Sequence, residues 1–219
     1  MEIVPDMLIK KIPAIIFNAF LLTLISCGKK EDQQTLFQLM ENTGIHFVNE
    51  VKDQELNNSF LFRNFYNGGG VGIGDINNDG FADVMLTSNM GENKLYLNKG
   101  NWQFEDITAK SGMKQDSMWS TGVMIVDINN DGWLDIYVCN SGNMTNGNRR
   151  NKLYINNKDL SFTESAAKYG LDISCYATQA SFFDYDLDGD LDCFIIANSP
   201  MPINTFGYTN KRDLHTCRV

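Results

Sequence analysis

Three stretches of this 219-residue chain carry side chains spaced for chemistry: "DINNDGFAD" at 75–83, "DINNDGWLD" at 127–135 and "DYDLDGDLD" at 184–192. In each, side-chain oxygens fall at positions 1, 3, 5 and 9, and Gly holds position 6. Two carboxylates ~4–5 Å apart repel by ~3–4 kcal/mol at an effective dielectric near 20. A loop written this way therefore asks for a cation. Ca²⁺ takes about six to eight oxygen ligands at roughly 2.3–2.6 Å, and four side chains plus the carbonyl of position 7 supply them. The candidate ligands are Asp75, Asn77, Asp79, the Phe81 carbonyl and Asp83 in the first loop. In the second they are Asp127, Asn129, Asp131, the Trp133 carbonyl and Asp135. In the third they are Asp184, Asp186, Asp188, the Asp190 carbonyl and Asp192. Gly80, Gly132 and Gly189 sit where the chain must turn sharply and a Cβ is expected to clash.

These are not EF-hands. Position 12, where an EF-hand places its bidentate Glu, holds Leu86, Val138 and Ile195. The flanks read as strands rather than helices, so a helix-opening sensor switch has no support. One copy is readable as a solvated hairpin turn, whereas three copies in the same phase argue for about three structural calcium sites. Extracellular calcium modules bind with Kd of about 10⁻⁴–10⁻³ M, which places filled sites outside the cytoplasm.

The formal net charge is −9, and ten regularly placed Asp side chains of the three loops account for it; without them the balance would be +1. The acidity is local to the loops, and no basic stripe of the kind nucleic acid requires is present. The other reactive side chains form no catalytic set. Cys139, Cys175 and Cys193 lie in strand-like segments and Cys217 near the end, with no CxxC and no His cluster, which argues against zinc. Buried free thiols are expected; a Cys175–Cys193 disulfide is the alternative. His46 and His215 are isolated and read as surface residues. Tyr66, Trp119 and Tyr176 precede successive leading strands, where they either pack between repeats or stack on sugars. Arg149 and Arg150 read as a solvated loop.

The elements that must position these loops repeat. The loops recur at offsets of 52 and 57 residues, and the match extends beyond them: "NKLYLNKGNWQFEDITAKSGM" (93–113) aligns with "NKLYINNKDLSFTESAAKYGL" (151–171). Each unit reads as four short strands, one entering the loop ("GGVGIGD", "TGVMIVD", "TQASFFD"), one leaving it, then "KLYLN" or "KLYIN", then "FEDIT" or "FTESA". No segment after residue 34 has a helical period. Four strands per unit of about 50 residues is the cadence of a β-propeller blade. A shorter "TLFQLMENTGI" (35–45) reads as a fourth strand without its blade.

This pattern resembles the FG-GAP/VCBS repeats of integrin-α-like propellers, most closely the cartilage-acidic-protein-like subgroup that carries an ASPIC/UnbV domain. The resemblance spans residues 35–206. It implies an all-β fold of four-stranded antiparallel blades, here an incomplete N-terminal portion of a propeller of roughly seven blades. The repeats run over about 67–108, 119–166 and 176–219, the last incomplete, within a domain of 35–219.

Ahead of this domain, "IPAIIFNAFLLTLI" (12–25) is an apolar run of fourteen residues preceded by Lys10 and Lys11. It is short of the about 20 residues a membrane-spanning helix needs, and it fits the core of a secretory signal peptide, with Met7 as a possible true start. "LISC" resembles a bacterial lipobox, which implies cleavage before Cys27, a signal peptide over 1–26, a diacylglycerol on the Cys27 thiol and a tether over 27–34. "KKED" after the cysteine resembles the tether of surface-exposed Bacteroidetes lipoproteins. The expectation is an outer-membrane or cell-surface module, attached to the membrane through its lipid anchor only, that binds protein or glycan and not nucleic acid. The alternative is the N-terminal part of an envelope lyase or hydrolase whose catalytic residues lie outside this chain.

Overall fold

The structure is a computed structural model; it describes residues 36–62, 64–113, 118–142 and 148–198. The signal peptide, Cys27, the tether, His215 and Cys217 lie outside the described residues. The described residues from Met40 onward form one compact unit. Among the described residues no helix is long and apolar enough to cross a membrane.

The fold is all-β, as expected. Strands β1 (Val71–Gly74), β2 (Asp83–Leu86), β3 (Lys94–Asn98) and β4 (Phe104–Asp106) make one antiparallel sheet in sequential order. Strands β5 (Ser120–Val126), β6 (Asp135–Asn140), β7 (Lys152–Asn156) and β8 (Phe162–Glu164) repeat it, and β9 (Ala177–Phe183) with β10 (Asp192–Ala197) makes a third, two-stranded sheet. These are propeller blades, and the three do not close a ring. A single helical turn, α1 (Thr108–Ser111), follows β4. It is too short to give a helical period in sequence.

Blade packing is set by which residues fill each strand face. In β6 all six residues are buried. Ile136 and Val138 point to one seam, packing with Met85, Leu95 and Leu97 of the first blade. Tyr137 and Cys139 point to the other, with Ala180, Cys193 and Ile195 of the third. That alternation explains why "IYVC" reads as a continuous apolar run: both faces are core. The leading strand of the first blade solves the opposite problem. Its glycines recur at every second residue, so one face has no side chains and β5 can lie against it. A Cβ on Gly72 would stand 3.0 Å from Ile125, and one on Gly74 would stand 2.7 Å from Ile125 and 2.9 Å from Leu134.

Two expectations, the strand at 35–45 and the solvated Arg149–Arg150 loop, are corrected, and those for His46 and Trp119 hold. Residues 36–48 form no strand. Asn42 and Gly44 take φ of 56° and 84°, which breaks the extended run. Residues 43–46 instead strap the outer edge of the first blade: the Phe104 N–H donates to the Thr43 carbonyl at 2.8 Å, and the Tyr96 hydroxyl donates to the His46 carbonyl at 2.6 Å. His46 itself is exposed. Trp119 is spent on packing, 3% exposed, with Phe62 and Phe65 at ring distances of 5.8 and 5.1 Å. Tyr66 is exposed and donates to Asp53. The Arg149–Arg150 loop is not simply solvated. Arg150 pairs with Asp172 at 2.6 Å, and the Arg149 guanidinium lies 4.6 Å over the Tyr176 ring.

Substituting Gly74→Val is expected to overpack the first seam and destabilise the chain by about 1–3 kcal/mol. Urea unfolding followed by circular dichroism measures it; an unchanged midpoint would contradict the seam geometry.

Candidate functional site

The three acidic loops each join a leading strand to its partner, in one register. Gly74 pairs with Asp83, Val126 with Asp135 and Phe183 with Asp192. Position 9 therefore begins the second strand in every case. Positions 1 and 5 build the turn from side chains in all three loops, joined in the first two by the Asn at position 3. In the first loop Asp75 accepts the N–H groups of Asp79 (3.1 Å) and Gly80 (2.8 Å), and the Asp79 carboxylate accepts the Phe81 N–H at 2.9 Å. The second loop copies this through Asp127, Asp131, Gly132 and Trp133. The third copies it through Asp184, Asp188, Gly189 and Asp190.

The position-6 glycines are needed for backbone conformation and not for space. Gly80, Gly132 and Gly189 take φ of 89°, 81° and 95°, and a Cβ there would meet nothing within 4 Å. The expected steric clash with neighbouring groups is thus absent; the left-handed φ alone disfavours a side chain.

Position 9 has a second task. Asp83 is fully buried, and its two carboxylate oxygens accept the Ile76 N–H at 3.0 Å and the Asn98 N–H at 2.7 Å. Asp135 does the same with Ile128 (3.1 Å) and Asn156 (2.9 Å). The carboxylate closes its own loop and clips the second strand to the end of the third. Asp192 keeps the first half of the clip, accepting from Tyr185 at 2.9 Å. Each oxygen has a further lone pair, so these bonds leave a carboxylate able to face a cation as well.

Asn98 and Asn156, the last residues of "KLYLN" and "KLYIN", are the functional residues sequence reasoning missed. Asn156 Nδ2 donates to Leu134 O (3.0 Å) and across the seam to Ile76 O of the first blade (2.8 Å). The available signal was an Asn recurring at the same strand end in both repeats. A second cross-seam bond runs loop to loop, from Asn78 Nδ2 to Gly132 O at 3.0 Å.

The donor set fits a hard cation. Carboxylate oxygens of Asp184, Asp186 and Asp188 lie within 4.8 Å of one another, among exposed or half-buried side chains. In the first two loops Asn replaces the middle carboxylate, and its amide donates to Asp79 (2.9 Å) or Asp131 (3.3 Å). Lys158 Nζ lies 3.3 Å from Asp131 Oδ2, giving the second loop a resident positive charge that the third lacks among the described residues. All donors are oxygens and no thiol or imidazole takes part. Cys139 and Cys193 are buried in the second seam, Cys175 is half-buried, and none of the three forms a disulfide. Burial pushes the Cys139 thiol far up, so it is inert.

Four-stranded blades with a cation-type loop between their first two strands define the class: a β-propeller-type repeat protein. The profile of the FG-GAP-like repeat matches residues 75–138. It is similar to cartilage acidic protein 1 of Xenopus tropicalis, 32% identical over 134 residues, which cover 60% of this chain and 20% of that protein. The mouse and human proteins of the same name are each 35% identical, over 69 and 72 residues, covering 32% of this chain and 11% of theirs. The chain thus spans a fifth or less of the length of these relatives.

Burial pushes the Asp83 and Asp135 carboxyls above the ordinary 3.8, against the pull of the N–H groups they accept; the other carboxylates of each loop add to the rise. Asp79 is held below it, first by the Asn77 amide and then by the Phe81 N–H. An acid whose folded pKa lies above its unfolded value makes the folded state the better proton binder. Metal-free protein is therefore expected to gain stability as pH falls from neutrality through the folded pKa values of Asp83 and Asp135. It loses stability again below about pH 4, where the low-pKa loop carboxylates protonate. Melting temperatures across this range in EDTA measure it; a monotonic fall from neutrality would contradict the buried clip.

Proposed function

We propose that this chain is a calcium-stabilised stretch of an extracytoplasmic β-propeller that serves as a binding module for protein or glycan, carried on the bacterial envelope by a lipid on Cys27. The observation that carries the calcium reading is the convergence of Asp184, Asp186 and Asp188 within 4.8 Å, in a loop whose turn hydrogen bonds recur in all three blades. Ca²⁺ would be held by Asp75, Asn77, Asp79, Phe81 O and Asp83 and their counterparts in the other loops. It offsets the carboxylate repulsion and fixes the turn between the first two strands of each blade. Similarity to cartilage acidic protein 1 supports a module that works outside the cytoplasm, where calcium is abundant enough to fill such sites.

A longer ring is supported by the blade faces at either end of the described array. Val71 and Ile73 of β1 are 62% and 66% exposed, and Phe194 and Ile196 of β10 are 50% and 52% exposed. These are the residue types that the two internal seams bury, so further blades would cover both faces. The lipid anchor rests on "LISC" and on the apolar run before it.

At about 10 mM calcium and Kd of about 10⁻⁴–10⁻³ M, each filled site stabilises the fold by about 1.4–2.7 kcal/mol. Calorimetry should show a melting temperature higher in calcium than in EDTA by about 2–4 °C per kcal/mol; identical melts would overturn the calcium reading. Radiolabelled palmitate should label the wild type and not Cys27→Ser, and equal labelling would overturn the anchor.

A further inference from the structure

The hairpin between β7 and β8 sends a cation to the second acidic loop. Lys158 lies two residues past the clip residue Asn156, and its N–H donates to Asn156 Oδ1 at 2.8 Å. In the first blade the same place, two residues past Asn98, belongs to Gly100, whose N–H donates to Asn98 Oδ1 at 2.9 Å. Both residues take a left-handed backbone, with φ of 70° for Lys158 and 81° for Gly100. Gly adopts that conformation at no steric cost, and Lys does not. The second blade therefore keeps a side chain, against backbone strain, where its sister repeat has none.

That side chain ends on Asp131. In the first two loops the position-5 carboxylate is engaged in the same way. Its Oδ1 accepts the position-7 N–H, from Phe81 on Asp79 and from Trp133 on Asp131. Its Oδ2 accepts the position-3 amide, from Asn77 at 2.9 Å and from Asn129 at 3.3 Å. Among the described residues only Asp131 adds an ammonium to this, with Lys158 Nζ 3.3 Å from Oδ2. Lys99 of the first blade pairs with Glu105 at 4.0 Å instead, and its charge reaches Asp79 from beyond ion-pair distance. The first and second loops otherwise offer the same ligand types at positions 1, 3, 5, 7 and 9. The first is thus an internal reference for what Lys158 does.

We infer that Lys158 is a resident competitor for the cation of the second loop and sets that loop's calcium affinity below that of the first, an assignment that rests on the calcium reading above. A divalent ion drawn to Asp131 meets an ammonium on the same carboxylate. It either displaces Lys158 from its ion pair or shares the carboxylate with a like charge, and both lower affinity. Calcium loops tune their affinity through the charge their ligands bring, and here the tuning comes from a residue outside the loop. The side chains of Lys158 and Asp131 are 47% and 29% exposed, so the effect has the modest size of a solvated ion pair.

The test titrates the 219-residue chain with calcium alone and follows the Gly80, Gly132 and Gly189 amides by NMR, one reporter per loop. The Gly132 midpoint should lie above the Gly80 midpoint by about two- to fivefold, the span of an exposed ion pair. Lys158→Gln removes the charge and should bring the Gly132 midpoint to the Gly80 value. Lys158→Arg keeps the charge and should leave it where the wild type has it. The Gly189 midpoint, in the third blade, should not move in either variant. A wild-type Gly132 midpoint at or below that of Gly80, or one that Lys158→Gln leaves unchanged, overturns the competitor and leaves the calcium reading standing. No shift of any of the three amides on adding calcium overturns the calcium reading and this inference with it.

Discussion

The fold depends on a buried carboxylate that accepts from two directions at once. Asp83 and Asp135 each bond the amide at position 2 of their own loop and the amide that ends the third strand. A single charged group thereby ties the loop, the second strand and the third strand of a blade together. Burying a carboxylate costs free energy unless its lone pairs are satisfied, and here both oxygens are. Because the clip starts the second strand, it also sets the register that places the remaining loop oxygens around one point.

From the clip outward, the blades are joined by a few specific devices. A glycine face on β1 lets β5 approach. Asn156 and Asn78 each send an amide across the seam between the first two blades, and β6 is buried on both sides. The three loops are alike in backbone and different in charge. The third has carboxylates at all of positions 1, 3 and 5, the first two have Asn at position 3, and the second has Lys158 beside Asp131. The third also carries a strain the others avoid. Leu187 takes φ of 62° where Asn78 and Asn130 take 58° and 54°, and a left-handed conformation costs Leu more than Asn. Under the proposed calcium reading, these differences grade the affinity of the three loops.

Much of this was legible in the sequence, for physical reasons. Strand alternation and loop spacing are local properties, so the four-strand unit, its order and the phase of the loop oxygens could be read from residue types alone. What depended on packing could not. The clip partners Asn98 and Asn156 look like ordinary turn residues, because an Asn before Lys-Gly or Asn-Lys is a common turn signal. The segment 40–48 carries strand-like residues, but Asn42 and Gly44 decide its path. Gly80 and its counterparts were assigned for a steric reason, and only the backbone angle shows the conformational one.

The central claim is that the folded chain makes the carboxylate clip by itself and that calcium orders the turn around it. Residue-resolved amide exchange in calcium and in EDTA tests this most directly. The Ile76, Asn98, Ile128 and Asn156 amides should stay as protected as the central strands in both conditions, while those of Asp79, Gly80, Asp131 and Gly132 exchange faster in EDTA. Clip amides that open together with the turn amides when calcium is removed would contradict it.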